Sequence, residues 1–300
     1  MIQIPLPTAN RDAATGLIFM ATAMLVVPII DAFAKHLSET IPAIEVAWLR
    51  FVVGSSLLVP FVIWRNGLSA LRLPRLGLHF LRGAGIAGAT AFFFAAVAFM
   101  PLADVAAIFF VEPLILTIFS AIFLGERIGW RRIAAVLVGF AGAMLIIRPS
   151  FGEFGAVALL PLGAAICFAG YMTITKVLSN SADPWTLQAL ANVSGVITLG
   201  IVVLAHAPTR TALAIPAPIE FGQIIIIGLV AIFCHTLIIF ALQRVSAGVI
   251  APFQYLEIIG ATFWGYVFFS DFPDALTWLG IAIIVGSGIF VFYREQQAEA

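Results

Sequence analysis

Residues 103–123 read ADVAAIFFVEPLILTIFSAIF, and this stretch decides the fold class. It is long enough to cross the hydrocarbon core of a bilayer as an α-helix, which takes about 20 apolar residues. Yet it carries a carboxylate, Glu112, near its midpoint. A charge at bilayer mid-depth costs about 2.5–3.5 kcal/mol, so an ionisable residue there suggests a functional site. The stretch therefore predicts a membrane-spanning helix and a functional reason for the charge inside it.

Nine further apolar stretches of similar length accompany the first. The chain is 62% hydrophobic and 10% charged, against about 45–50% and 25% for an ordinary soluble domain. We therefore predict an all-α polytopic membrane protein with ten transmembrane helices. Breaks at Pro, Gly and charge clusters place these helices at 14–37, 43–64, 78–100, 103–123, 130–147, 154–178, 185–206, 219–243, 247–269 and 276–293.

Charge and cysteine content exclude several other classes. The net charge is zero and no run of like charges occurs, so a nucleic-acid partner is not expected. Cys167 and Cys234 each lie inside an apolar stretch, which does not indicate a disulfide framework. The sequence contains no cluster with metal-ligand spacing, so we expect neither a metal nor a cofactor. The expected partners are a small-molecule substrate and the lipid bilayer, while the oligomeric state stays open.

Basic residues predict the orientation, because cytoplasmic loops carry excess Lys and Arg. One side of a ten-helix chain holds both termini and the even-numbered loops, and it would carry Arg11, Arg65, Arg72, Arg75, Arg82, Arg127, Arg131, Arg132, Lys176, Arg244 and Arg294. The other side would carry only Lys35, Arg148 and Arg210. We therefore expect both termini in the cytoplasm of a bacterium, with the protein in the inner membrane.

A faint internal repeat divides the chain. A shift of 145 residues places 103–112 over 248–257, which aligns Glu112 with Glu257. Transporters often contain such weak self-similarity between their halves. We predict two five-helix repeats, residues 1–148 and 149–300. Because five is odd, the second repeat must enter the membrane inverted, which favours alternating access to a site at the repeat interface.

The two aligned acids predict the binding site. Helical spacing places one set of side chains on a single face of helix 4 and the aligned set on a single face of helix 9. The sets are Phe109, Glu112, Leu116 and Phe119, and Gln254, Glu257, Ala261 and Trp264. Together they would line a cavity with aromatic walls and two acids that bind substrate or a coupling proton. The alternative is that each Glu hydrogen-bonds a neighbouring helix as a purely structural contact.

Two prolines and a histidine lie near these acids. Pro113 and Pro252 each remove a backbone donor, which either presents backbone groups to a ligand or produces a tolerated kink. His235 in helix 8 aligns with Thr90 in helix 3 under the same shift. It is a candidate proton relay or substrate donor, since histidine changes charge near neutral pH. A neutral His whose hydrogen bonds are satisfied inside the bundle is the alternative.

A further set of charges is predicted near the membrane surfaces. Asp31 and Lys35 are one helical turn apart and are expected to pair, while Arg50 needs a partner such as Asp31 or Glu45. We interpret this set as a structural ion cluster, with an outer gate or substrate anchor as the alternative. Charges at two further helix ends, Glu126 and Asp271, are interpreted as cap or gate charges.

With these residues in view, the chain resembles the drug/metabolite transporter superfamily of EamA type. The resemblance covers essentially the whole chain and rests on Asp31-Ala-Phe-Ala-Lys35, Arg50-Phe51, Pro101-Leu-Ala-Asp104, Glu112-Pro113-Leu114, Leu124-Gly-Glu126, Gly139-Phe-Ala-Gly142, Ala251-Pro-Phe-Gln-Tyr255 and Phe272-Pro273-Asp274. It implies ten helices in two inverted repeats and a transport function. The second half departs from the family pattern at Glu257-Ile258 and Ser270-Asp271, so the two halves are not expected to work identically.

The subgroup that the resemblance indicates includes riboflavin importers, S-adenosylmethionine carriers and exporters of metabolites or metallophores. Riboflavin uptake is the leading substrate prediction, because aromatic side chains could stack on its flat ring. These are Phe109, Phe119, Trp264 and Phe92 to Phe94. The alternatives are an S-adenosylmethionine carrier and an exporter of amino acids, metabolites or a metallophore. A membrane-embedded enzyme or a channel is disfavoured, since no hydrolase, metalloprotease, phosphate-loop or selectivity-filter motif occurs.

Overall fold

The computed structural model describes residues 8–71, 73–125, 130–206, 216–270 and 272–299. Within these residues the chain is helical and contains no β-strand. The α-helices, in chain order, are α1 (Thr8–Val26), α2 (Pro28–Leu37), α3 (Ala43–Asn66), α4 (Leu76–Val97), α5 (Leu102–Phe109), α6 (Glu112–Leu124), α7 (Trp130–Phe154), α8 (Leu160–Leu178), α9 (Pro184–His206), α10 (Pro218–Arg244), α11 (Ala247–Ile250), α12 (Glu257–Phe269) and α13 (Ala275–Glu299). Short 3₁₀ segments lie at Leu68–Leu71, Gly155–Leu159 and Ala251–Leu256.

The helices match the predicted class. In the described part of the chain, seven segments are long and apolar enough to cross a membrane, and shorter apolar helices lie at Leu137–Ile146 and Ala275–Ser287. The seven are Asp12–Leu37, Ala43–Asn66, Leu76–Val97, Leu102–Leu124, Phe151–Leu178, Pro184–Ala205 and Pro218–Arg244. The prediction of an all-α polytopic membrane protein is confirmed.

Three of the ten predicted helices are broken along their length. The first is divided between Val26 and Pro28, and the fourth between Phe109 and Glu112. In the ninth, the Ala251–Leu256 segment is a 3₁₀ helix that separates α11 from α12. Proline explains each position, because it has no backbone N–H and its ring collides with the carbonyl four residues earlier. The carbonyls of Met24 and Phe109 therefore cannot receive the usual helical hydrogen bond from Pro28 and Pro113.

α4 packs extensively against α9, and four other extensive helix pairs are α7 with α13, α4 with α8, α3 with α9, and α1 with α10. In the numbering of the predicted helices these are 5 with 10, 3 with 6, 2 with 7 and 1 with 8. A twofold relation between the repeats exchanges helix 1 with helix 6, helix 2 with helix 7, and so on. Under this exchange the pair 3 with 6 becomes the pair 8 with 1, and the other two pairs map onto themselves, so the set is unchanged. The boundary between residues 148 and 149 stays a prediction.

Small residues set the closest approaches. A Cβ on Gly142 would lie 3.1 Å from the carbonyl oxygen of Gly280, and a Cβ on Gly280 would lie 2.9 Å from that of Gly142. α7 and α13 therefore pack backbone to backbone, as small residues allow in membranes. At the start of α13, the backbone N–H of Thr277 donates to Asp274 at 2.6 Å and holds the pKa of that carboxyl below its ordinary value. The Thr277 hydroxyl also donates to Asp104, which ties α13 to α5.

Candidate substrate cavity

A central cavity lies where the helix breaks meet. Its volume is about 60 Å³, enough for a few water molecules but far below the roughly 300–1,000 Å³ of small-molecule pockets. It must therefore widen to admit a metabolite. Its walls come from seven of the ten predicted helices: Met24, Val27, Ile30, Asp31, Arg50, Ile86, Ala89, Thr90, Phe93, Phe94, Phe109, Phe168, His235 and Glu257.

One wall carries charges of both signs. Asp31, Arg50 and Glu257 are all buried, although they come from α2, α3 and α12. Asp31 is close enough to interact electrostatically with both Arg50 and Glu257. An Arg50 Nη atom lies 3.2 Å from Nε2 of His235. Because ions buried in an apolar medium require partners, this wall is suited to a ligand that carries charge.

Helix breaks explain how these charges reach the cavity. Asp31 lies in the first turn of α2, directly after the Pro28 break, and Glu257 is the first residue of α12. A side chain near a helix N-terminus is close to unpaired backbone N–H groups. Discontinuous helices of this kind form the substrate sites of many transporters.

A second part of the cavity wall is aromatic. The ring centroids of Phe93 and Phe109 lie 5.4 Å apart at 88°, and those of Phe109 and Phe168 lie 5.7 Å apart at 64°. The Phe168 ring in turn lies 6.4 Å from the His235 ring. The two Phe–Phe contacts are edge to face and the Phe168–His235 contact is tilted, and together they form a continuous aromatic surface that leads to the charged wall. A widened cavity would therefore place a flat ring beside a charged group.

The predicted common faces on helices 4 and 9 do not form. Phe109 and Glu257 line the cavity, but Trp264 packs on Phe263 and Phe268 with ring centroids 5.0 and 5.4 Å away. Phe119 lines a groove on the outside of the bundle. The predicted faces required continuous α-helices, whereas a 3₁₀ turn advances about 120° per residue instead of about 100°. Residues on opposite sides of each break therefore point in different directions.

Glu112 and Gln254 are buried but do not line the cavity. Glu112 is 0% exposed, and it lies close enough to interact electrostatically with Glu257. The two acids that the sequence aligns are therefore neighbours in different surroundings. The prediction that Glu112 and Glu257 line the same cavity is wrong, because only Glu257 lines it.

The predicted gate cluster is also rearranged. Asp31 and Arg50 belong to the cavity wall rather than to the outer surface, because the Pro28 break starts a new helix at that depth. The ammonium of Lys35 lies 4.5 Å from the centroid of the Phe269 ring. Glu126 and Asp271 lie outside the described residues, so their predicted cap or gate role stays a prediction.

Sequence reasoning missed a buried arginine. Arg82 is 0% exposed and joins three helices: its Nε donates to Thr175 Oγ1 at 2.8 Å, and an Nη donates to the Leu187 carbonyl at 2.8 Å. Its other Nη donates to the Tyr171 hydroxyl at 3.4 Å, and Tyr171 contacts His235 edge to face. The topology count assigned Arg82 to a cytoplasmic loop. Its place inside the predicted helix 78–100 was the signal that could have identified it.

A polytopic helical bundle whose broken helices meet at a charged, buried cavity defines a membrane transporter. The sequence pattern of the EamA-like transporter family matches residues 14–148 and 155–293. The chain belongs to this family, within the drug/metabolite transporter superfamily that its motifs predicted.

Similar proteins carry several substrate names. The pseudopaline exporter of Pseudomonas aeruginosa is 30% identical over 275 residues, covering 90% of this chain and 93% of that protein. The S-adenosylmethionine uptake transporter of Rickettsia bellii is 29% identical, covering 89% of this chain and 90% of that protein. The riboflavin transporter of Brucella anthropi is 26% identical, covering 85% and 89%.

A solved crystal structure of a protein has the same fold. It superimposes with a TM-score of 0.68 at 22% identity and covers 93% of this chain and 97% of that chain. At this identity the likeness establishes the fold alone.

Proposed function

We propose that this protein carries a small zwitterionic metabolite with a flat ring across the bacterial inner membrane by alternating access, with both termini in the cytoplasm. The observation that carries the proposal is the meeting of Asp31, Arg50 and Glu257 with an aromatic wall in one buried cavity. Four extensive helix pairs form a set that is unchanged by exchange of the halves, which supports two inverted repeats that rock around this site.

Each wall binds a different part of such a substrate. The Arg50 guanidinium is a fork of donors suited to a carboxylate, and its Nε has no hydrogen-bond partner among the described residues. Asp31 and Glu257 attract an ammonium or sulfonium group. Phe93, Phe109 and Phe168 present ring edges and faces to an aromatic base. S-adenosylmethionine combines all three groups, and the similarity to S-adenosylmethionine uptake transporters supports it as the leading candidate.

Riboflavin uptake is the second candidate. The aromatic wall and the similarity to riboflavin transporters favour it, since a neutral flavin ring would stack against Phe109 and Phe168. Riboflavin carries no charge to pair with Arg50 or Glu257, so the charged wall places it second. An enzymatic function has no support from the family or from the named relatives.

Counterflow in proteoliposomes tests the proposal. Vesicles loaded with unlabelled S-adenosylmethionine should accumulate the radiolabelled compound transiently, with saturation, and excess riboflavin should compete weakly. Glu257→Gln should abolish this exchange, whereas the matched change at an exposed acid, Glu39→Gln, should not. Exchange of riboflavin without exchange of S-adenosylmethionine would favour the second candidate, and non-saturable flux would contradict a carrier.

A further inference from the structure

A second buried polar cluster lies beside the cavity without lining it. The cluster consists of Glu112, at the start of α6, and of Gln254 and Tyr255 in the 3₁₀ segment that packs against α6. All three side chains are buried. Gln254 lies close enough to the Glu112 carboxyl for the two side chains to interact. Among the described residues, neither Glu112 carboxyl oxygen has a partner with hydrogen-bond geometry, and the Gln254 amide nitrogen and the Tyr255 hydroxyl also lack one.

An unpaired carboxylate in this position would be costly. A buried charge without a partner is far less stable than its neutral form, so such a group either finds a partner or binds a proton. A hard metal cation would need about six oxygen ligands, and this cluster offers a carboxyl, one amide oxygen and one hydroxyl. A proton requires only the carboxyl, and the neutral acid can then donate to a neighbouring oxygen.

The titratable groups around Glu112 link it to the cavity. Tyr255 in the 3₁₀ segment and Glu257 in α12 both interact electrostatically with Glu112. Glu257 also interacts with Asp31, which in turn interacts with Arg50. Glu257 therefore lines the substrate cavity and also interacts electrostatically with Glu112, which does not line it.

We propose that Glu112, Gln254 and Tyr255 form a proton-binding site that is separate from the substrate cavity and couples transport to a proton gradient. This inference rests on the proposed function. A negative Glu257 favours the protonated form of Glu112 by repulsion between like charges. When a cationic group of the substrate neutralises Glu257, that repulsion falls and the Glu112 carboxyl releases one proton to water, becoming a carboxylate. Substrate and proton then exchange, one against the other.

Infrared spectroscopy of the full-length protein in lipid tests the site without any substrate. The wild type should show the C=O band of a buried protonated carboxyl. Glu112→Gln should remove this band, Glu39→Gln should leave it unchanged, and Gln254→Leu should shift it by removing the adjacent amide. If Glu112→Gln does not fold, Glu112→Asp should shift the band. Absence of the band from the wild type, or its persistence unshifted in the Glu112 variants, would overturn the proposal.

Transport by the same variants separates coupling from binding. In proteoliposomes, Glu112→Gln should keep S-adenosylmethionine counterflow within about threefold of wild type and lose accumulation driven by a pH gradient. Glu257→Gln should lose counterflow and should also weaken the infrared band of Glu112, because the neutral amide removes the repulsion that favours the protonated carboxyl. Accumulation driven by a sodium gradient instead would refute the proton site. If the wild type exchanges no S-adenosylmethionine while the band behaves as expected, the substrate assignment fails and the proton site stands.

Discussion

Arg50→Met isolates the contribution of the arginine in the cavity wall to substrate binding. The substitution roughly conserves length and removes the guanidinium, whose Nη lies 3.2 Å from His235 and whose Nε has no partner among the described residues. If Arg50 holds a substrate carboxylate, its loss removes charge-assisted hydrogen bonds of about 1.5–3 kcal/mol. At about 1.4 kcal/mol per tenfold change, the KM for S-adenosylmethionine should rise about 10- to 100-fold.

The assay is saturation of counterflow in proteoliposomes, with two controls. Arg65→Met changes an exposed arginine at the other end of the same helix and should leave KM unchanged. Arg50→Lys keeps the positive charge but not the planar fork, so it should restore only part of the affinity. Riboflavin has no carboxylate, so its KM should change less than threefold in Arg50→Met. An unchanged KM for S-adenosylmethionine, or equal losses for both compounds, would refute the reasoning.

Three further predictions concern the aromatic wall, the helix packing and the topology. Phe168→Ala should raise the KM for a ring-bearing substrate about two- to tenfold, because an aromatic contact contributes about 0.5–1.5 kcal/mol. Phe168→Tyr keeps the ring and should have little effect on KM. Equal KM values in the two variants would argue against stacking. Gly260→Ala should lower the free energy of unfolding by about 1–3 kcal/mol, because the added Cβ would lie 2.6 Å from Pro28 in α2. Gly222→Ala is the control, since a Cβ there would have nothing within 4 Å. Equal losses of thermal stability in the two variants would contradict the packing. In a cysteine-free background, Ser69→Cys should react with an impermeant maleimide only from the cytoplasmic side and Ala217→Cys only from outside, and labelling in the reverse sense would invert the topology.

The sequence predicts the helices well because each needs only a long apolar run. It predicts the breaks in part. Pro113 directly follows Glu112 and Pro252 lies five residues before Glu257, but Pro28 lies in a stretch that shows no other interruption. The break at Pro28 determines where Asp31 lies and which way its side chain points. Because the sequence does not reveal this break, it predicts Asp31 in a surface cluster rather than in the cavity.

The site itself is predicted less completely, for a geometric reason. Glu257, His235 and Phe109 line the cavity as the sequence suggested, since a charge or ring inside an apolar helix is visible in the sequence. Trp264 was misplaced because the angular period of the helix changes at Ala251–Leu256. Phe168 is one of 27 Phe residues, and nothing in its neighbourhood distinguishes it from residues that face lipid. Its role depends on tertiary packing alone.

Protection of a cavity cysteine by substrate tests the central claim most directly. Thr90 lines the cavity and is buried, so Thr90→Cys, in a background without Cys167 and Cys234, should react slowly with a small membrane-permeant thiol reagent. A saturating concentration of the metabolite that shows counterflow should slow this reaction at least tenfold, while an exposed cysteine outside the membrane helices, at Ser69→Cys, should react at the same rate with or without it. If a metabolite that the variant still transports leaves the reaction at position 90 unchanged, the substrate does not bind in this cavity and the account is contradicted.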